Sequence, residues 1–229
     1  MTEMKEKKMK NITGEQLSLL EKTGFKEHAA EFFTEMQVYQ AGIREIRTKL
    51  EILDEEFRIH HDHNPIHHIE SRLKSPQSII QKLVRRGLEV NIESMRSELC
   101  GVAGVRVIVQ YLDDVERVAS LLLTQDDIML IRRSDYVTNP KESGYRSLHL
   151  VVEVPVFLAE GKKRVPVEIQ IRSIAMDFWA SLEHRLKYKQ SEEVPLEIRE
   201  RLRDCAERIA VIDREMQEIY RIIMEEGTL

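Results

Sequence analysis

Residues 102–111, VAGVRVIVQY, are rich in β-branched side chains and almost unbroken in hydrophobicity. Such a run reads as a strand covered on both faces, and everything else in the chain has to be placed around it.

Ahead of it, Phe32, Met36, Tyr39, Ile43, Ile46, Leu50 and Leu53 recur every three or four residues. That period predicts an amphipathic helix over 29–57. The stretch HHDHNPIHH at 60–68, punctuated by Asn64–Pro65, reads as a polar loop. Short helices are expected over 78–86, closed by Gly87, and over 92–99. After the strand come a helix over 113–123, capped by Asp113 or Asp114, and strands over 128–132, 147–157 and 164–172. The last two pair as a hairpin around 159–163. A helix over 173–187 follows, and Pro195 opens a final helix running to about 225. The order predicts an α+β fold: a mixed sheet of at least four strands with one crossover helix, between helical segments. A loosely ordered leader, 1–28, with Thr13 and Glu15–Gln16 marking a helix start, precedes a single domain over 29–229. That domain divides into an N-terminal helix (29–60), a core (61–190) and a C-terminal helix (191–229).

A chain of 229 residues buries roughly 70% of the surface its unfolded form exposes, so the core needs no staple. Its net charge of -5 gives no overall attraction to nucleic acid or anionic lipid; any phosphate site must be a local cluster of cations. Cys100 and Cys205 have neither metal nor redox spacing and suit a reducing compartment. The basic start MTEMKEKKMK is followed by no apolar run, and no apolar stretch approaches a membrane span. A cytoplasmic protein, neither secreted nor membrane-bound, is expected.

Three constellations carry chemistry. In RLKSPQS, Arg72 and Lys74 precede a helix start, with Lys82, Arg85 and Arg86 further along. Cations beside a helix N-terminus bind phosphate; the alternative is a solvated helix face. In DYVTNPKESGYRSLH, residues 135–149, Gly144 permits close backbone approach, Tyr145 offers a flat face for a base, and Lys141 and Arg146 suit phosphates. The alternative is a turn with a core tyrosine. In VEIQIR, residues 167–172, alternation puts Glu168, Gln170 and Arg172 on one face. A carboxylate there can hold a metal or take a proton, whereas an edge strand would merely show the row to solvent.

RLKSPQSI, VAGVRVI, DYVTNPKESGYRSLH and VEIQIRSIAMDFWASLEH, in that order over about residues 55–190, resemble the small alarmone synthetases, stand-alone relatives of the synthetase domain of bifunctional enzymes. The resemblance implies a nucleotidyltransferase-like mixed β-sheet flanked by helices, with long N- and C-terminal helices. It implies a GTP pyrophosphokinase that moves pyrophosphate from ATP to the 3′-hydroxyl of GDP or GTP, giving (p)ppGpp and AMP with Mg²⁺ as cofactor. Matched residue by residue, Arg72 and Arg106 clamp adenine, and Lys74, Ser78 and Arg85 hold the ATP phosphates. Tyr145 stacks on guanine, Lys141 meets the acceptor phosphates, and Arg146, His149, Gln170, Asp177 and Glu183 shape the acceptor site. Glu168 serves near the metal and the 3′-hydroxyl. A homotetramer is implied, which would cover the apolar stripe Leu202, Ile209, Ile212, Met216, Ile219 and Ile223 of the last helix; the alternative is packing within the domain. No hydrolase domain is expected.

The motif departs from the family at Gly101 and, beside it, at Cys100, where members usually carry an aromatic residue. Members usually carry an aspartate, the main magnesium ligand, where this chain has Gly101. Glu98, one helical turn earlier, is a candidate replacement. The alternative is an impaired synthetase acting as a nucleotide- or single-stranded-RNA-binding regulator. A third reading is a nucleotidyltransferase with another acceptor, such as RNA. His60, His61, His63, His67 and His68 invite a metal reading but lack a companion cysteine or carboxylate pattern. His184 has no evident role in sequence.

Overall fold

The computed structural model describes residues 29–189 and 194–226. The expected leader, its helix start at Thr13 and the stretch 190–193 lie outside them. In chain order the elements are α1 (Ala29–His60), β1 (Ile66–Leu73), α2 (Pro76–Arg85), α3 (Ile92–Glu98), β2 (Ala103–Val109), α4 (Leu112–Leu123), β3 (Met129–Asp135), β4 (Leu148–Leu158), β5 (Gly161–Ser173), α5 (Ile174–Lys189) and α6 (Leu196–Glu226).

Two local readings are corrected. Residues 66–68 are not loop but the start of β1, which pairs antiparallel with β2 from Ile66↔Val109 to Leu73↔Ala103. An edge strand satisfies its backbone on one side only, and β1 shows His67, His68, Glu70, Ser71 and Arg72 to solvent, so no apolar alternation betrays it. The residue capping α4 is Tyr111, not Asp113 or Asp114; Asp114 sits at the third position of the helix and accepts from the Tyr111 N–H at 3.1 Å. The α2 helix starts at Pro76, two residues earlier than expected, because Ser75 caps it by accepting from the Ser78 N–H at 3.3 Å.

Among the described residues five strands form one mixed sheet in the order β1-β2-β5-β4-β3. β5 lies at its centre, parallel to β2 and antiparallel to β4. One face is apolar: Val105 and Val107, Leu150 and Val152, Val167, Ile169 and Ile171 are all buried. They join Ile43, Ile46 and Leu50 of α1 and Val118 and Leu122 of α4 in one core. Each such side chain adds about 1.5–3 kcal/mol on burial. Gly42 lets α1 settle onto β5, for a Cβ there would meet Val165 Cγ1 at 2.7 Å. With the helices on that side, residues 104, 106, 168 and 170, half a pleat away, form the floor of a cleft on the other face.

α6 divides its apolar positions. Leu202, Ala206, Ile209 and Ala210 turn inward with the buried Asp213 and Gln217. Ile212, Met216, Ile219 and Ile223 remain 43–60% exposed, so packing within the domain accounts for only the first part of the expected stripe.

Candidate active site

Two cross-strand rungs make the cleft floor. Arg72 of β1 lies opposite Gly104 of β2, which lies opposite Glu168 of β5; Glu70, Arg106, Gln170 and His149 of β4 form the next rung. Gly104 adds no side chain, leaving open space between Arg72 and Glu168. The cleft has a volume of about 620 Å³, and Lys74, Lys82, Cys100, Gly101, Arg172 and His184 are also among its lining. That volume falls within the range of pockets that hold small ligands and cofactors.

Its β1–α2 end is an anion site in waiting. Lys74 and Lys82 are both pushed below the ordinary lysine range, first by burial and then by neighbouring cations: Lys82 and Arg72 act on Lys74, and Arg86 acts on Lys82. Cations that destabilise one another's charge are relieved by a polyanion. Glu168 is the carboxylate that opposes the trend at both lysines. Lys82 also donates to the Cys100 carbonyl at 3.3 Å. Of the residues matched to ATP phosphates, Lys74 lines this end. Ser78 instead faces Ser75, its hydroxyl 2.9 Å from that of Ser75, and Arg85 is exposed on α2 outside the lining.

The opposite end is a closed ring of hydrogen bonds whose directions follow from the donors. Arg172, which can only donate, gives Nη2–H to Tyr145 Oη at 2.6 Å and to Gln170 Oε1 at 2.9 Å. Tyr145 Oη lies 2.8 Å from His149 Nε2 and donates to it when the imidazole carries its proton on Nδ1. In that form Nδ1–H faces Glu168 Oε1 at 3.4 Å. Gln170 Nε2 donates to the same Glu168 oxygen at 3.0 Å. Glu168 collects the ring's bonds, and its pKa falls to about 2, through the His149 hydrogen bond first, with Gln170 adding to it against the cost of burial. It is a carboxylate at every physiological pH. So low a pKa makes it a better cation ligand and hydrogen-bond acceptor than proton acceptor.

Asp177 on α5 joins the ring to the rest of the floor. Its Oδ1 accepts from Arg172 Nη1 at 3.1 Å and lies 3.6 Å from Arg106 Nη1, which also meets Glu70 Oε2 at 3.2 Å. Arg72 and Arg106 thus sit on adjacent strands with the open cleft before them. Glu183 is half-buried further along α5.

Tyr145 is half-buried. The Lys141 ammonium lies 4.9 Å and the Arg172 guanidinium 5.1 Å from its ring centroid. The ring also packs against the cluster of Trp179, Ala180 and Ala206. The close approach that Gly144 permits is to α6: at φ 87°, a Cβ there would meet Ala206 Cβ at 2.5 Å. Arg146 turns the same way. It donates to the Val137 carbonyl at 3.0 Å, and burial, then Arg214, holds its pKa down. The structure thus brings Arg72, Lys74, Arg106, Glu168, Gln170, His149, Asp177 and Tyr145 into one connected site; Ser78 and Arg146 turn to other partners, and Arg85, exposed on α2, acts on Lys74 and Lys82 through its charge.

Gly101 lies in the turn before β2, at φ 79°, and lines the cleft. Glu98 is exposed at the end of α3, away from the lining. Among the described residues no three His, Cys, Asp or Glu side chains form a metal-holding group. A cation held in this cleft would take Glu168 and complete its shell with oxygens of a bound anion.

The histidines are dispersed. His60, His61, His67 and His68 are exposed, while His63 places Nε2 2.9 Å from both Asp114 oxygens. Sequence reading gave no site role to Glu70 and His184, and named Lys82 without assigning one. Once β1 is known to be a strand, Glu70 follows from Arg72 by the alternation of two.

Comparisons with known proteins converge on one family. A model described as a region found in RelA/SpoT proteins matches residues 71–193. GTP pyrophosphokinase YwaC of Bacillus subtilis strain 168 is 41% identical over 182 residues, 80% of this chain and 87% of its own. Small alarmone synthetase 1 from Bacillus subtilis, bound to its product pppGpp, superposes with a TM-score of 0.80 at 34% identity, covering 85% of this chain and 99% of that one. The same enzyme bound to AMPCPP gives 0.72 at 34% identity, over 86% and 99%.

Proposed function

We propose, since this chain belongs to the RelA/SpoT family and has the fold of its small alarmone synthetases, that it transfers pyrophosphate from ATP to the 3′-hydroxyl of GDP or GTP. The observation that carries this reading is the row of Arg72, Lys74 and Lys82 lining the cleft with Glu168, in which burial and neighbouring cations hold both lysines below their ordinary range. A donor triphosphate suits that end, with adenine between the Arg72 and Arg106 guanidinium planes. A guanine stacks on Tyr145 by taking the place of Lys141, whose ammonium then meets the acceptor phosphates; Asp177 and Glu183 border that subsite.

In the transfer the acceptor 3′-oxygen bonds to the β-phosphorus, the bond from that phosphorus to the α-phosphate bridging oxygen breaks, and AMP leaves. Glu168 accepts the hydrogen bond of the attacking hydroxyl and orients it. The 3′-proton passes onward to solvent or phosphate, because a carboxylate with so low a pKa retains it poorly. Arg72, Lys74 and Lys82 hold the transferring phosphates and spread their charge. Mg²⁺, bound through nucleotide phosphates and Glu168, would supply further charge neutralisation. The outward Ile212, Met216, Ile219 and Ile223 suit a subunit interface, and we assign them to a homotetramer.

A second reading, an impaired synthetase that binds nucleotides as a regulator, draws on Gly101, which leaves Glu168 without the usual carboxylate partner. AMP formation from ATP and GDP, with and without Mg²⁺ or Mn²⁺, separates the two. Metal-dependent AMP with matching alarmone supports transfer. Binding of both nucleotides without AMP supports the regulator.

A further inference from the structure

We propose that Asp177 couples the two nucleotide subsites, so that a bound donor tightens the acceptor and the reverse. The inference rests on the reading above, in which Arg106 serves the donor base and Tyr145 the acceptor base. Its structural basis is one shared oxygen. Asp177 Oδ1 takes the Arg172 Nη1–H at 3.1 Å and lies 3.6 Å from Arg106 Nη1. Arg172 holds it by a hydrogen bond and Arg106 by charge alone, and each serves a different subsite.

They differ in freedom. The Arg172 side chain is 6% exposed and the Arg106 side chain 34%. The Nε of both arginines is buried with no hydrogen-bond partner among the described residues, but Arg172 cannot turn to solvent. Its other terminal nitrogen is committed to Tyr145 Oη and Gln170 Oε1. Asp177 is steadied by its helix and by the Ser181 hydroxyl, which donates to Oδ2 at 3.3 Å. Arg106 is the member that moves.

The sign follows. An adenine stacked on Arg106 draws that guanidinium from Oδ1, which then serves Arg172 alone. Arg172 is held more firmly, and so is the Tyr145 hydroxyl it donates to. An arriving guanine meets a ring that is already fixed and loses less ordering entropy on stacking. Linkage makes the effect reciprocal. Gln170 and Glu168 belong to the same ring of bonds, so the donor also steadies the carboxylate that receives the 3′-hydroxyl.

Calorimetric titration of the full chain with AMPCPP, which cannot be split between its α- and β-phosphates, tests this in Mg²⁺ without and with saturating GDP. In the wild type GDP should tighten AMPCPP by about fivefold or more, and AMPCPP should tighten GDP by the same factor. Asp177→Asn and Tyr145→Phe should each bring the factor close to one while both nucleotides still bind. Ser181→Ala, which touches only Oδ2, should keep it. Thermal melting checks that Asp177→Asn folds; if it does not, Tyr145→Phe carries the test. A wild-type factor of one, or a wild-type factor retained in both variants, overturns the coupling alone. Failure of the wild type to bind either nucleotide overturns the functional reading and the coupling with it.

Discussion

Glu168 occupies the space that a side chain at position 101 would need. A Cβ built on Gly101 would overlap Glu168 Oε2 and lie 3.4 Å from its Cδ. The two positions therefore share one small volume at the cleft floor, where the charge of Lys82 also reaches Glu168. An aspartate at 101 would sit beside Glu168, as a second ligand to a cation carried in on the phosphates.

Gly101→Asp should raise pyrophosphoryl transfer by about a hundredfold, roughly 3 kcal/mol of barrier. Two costs oppose it. The backbone at φ 79° strains any residue with a Cβ, by about 1–2 kcal/mol, although aspartate tolerates it better than most. Paired carboxylates also repel until a cation separates them. The variant should consequently melt lower than the wild type alone and recover with Mg²⁺ and nucleotide. Gly101→Ala meets the same clash without supplying a ligand and should gain nothing. AMP release from ATP and GDP at saturating Mg²⁺ decides: vigorous turnover already present with Gly101 would mean that no second carboxylate is needed.

Arg72→Ala and Arg106→Ala should each weaken ATP binding by about 0.5–2 kcal/mol, the worth of a guanidinium stacked on an aromatic face. Arg106→Ala also leaves Glu70 with one partner fewer, so its effect on stability is to be read separately by thermal melting. Calorimetry with AMPCPP is the check, and unchanged affinity in both variants would remove these residues from the donor site.

Tyr145→Ala should cost GDP binding about 1–3 kcal/mol, one lost base stack, while ATP binding in the absence of GDP changes far less. The variant also removes the hydroxyl that joins Arg172 to His149. Equal weakening of ATP and GDP would show Tyr145 acting only through packing against Trp179 and Ala206.

The core strands were legible because burial leaves a mark in composition: 102–111 and the alternation around Glu168 could hardly belong elsewhere. β1 was not, since an edge strand exposed on its site face carries polar residues that look like loop. The same exposure hid Glu70. Single motifs also could not say which way a side chain turns. Arg146 and Gly144 belong to the acceptor loop in sequence yet meet α6, a segment some 60 residues distant in the chain, as Gly144 against Ala206 shows. The apolar stripe of α6 gave the helix but not its inner face, which is built on Ala206, Ala210, Asp213 and Gln217. Small and polar residues on a docked face read as surface in a periodicity.

The pH dependence of stability tests the ring of hydrogen bonds around Glu168. Its folded pKa of about 2 lies below the ordinary 4.5, so the network favours the ionised form. A depressed carboxylate contributes stability that is fully present above its unfolded pKa and is lost as pH falls through the folded one. The window is therefore about pH 4.5 down to 2, and the contribution is about 3 kcal/mol. Glu168→Gln keeps the side chain's size but removes the charge that Lys74 and Lys82 face. It should be less stable than the wild type by about that amount at neutral pH, with the difference shrinking as pH falls from 5 toward 2. Urea unfolding of both proteins at a series of pH values measures it. A difference that stays constant down to pH 3 would mean that His149 and Gln170 do not hold Glu168 ionised.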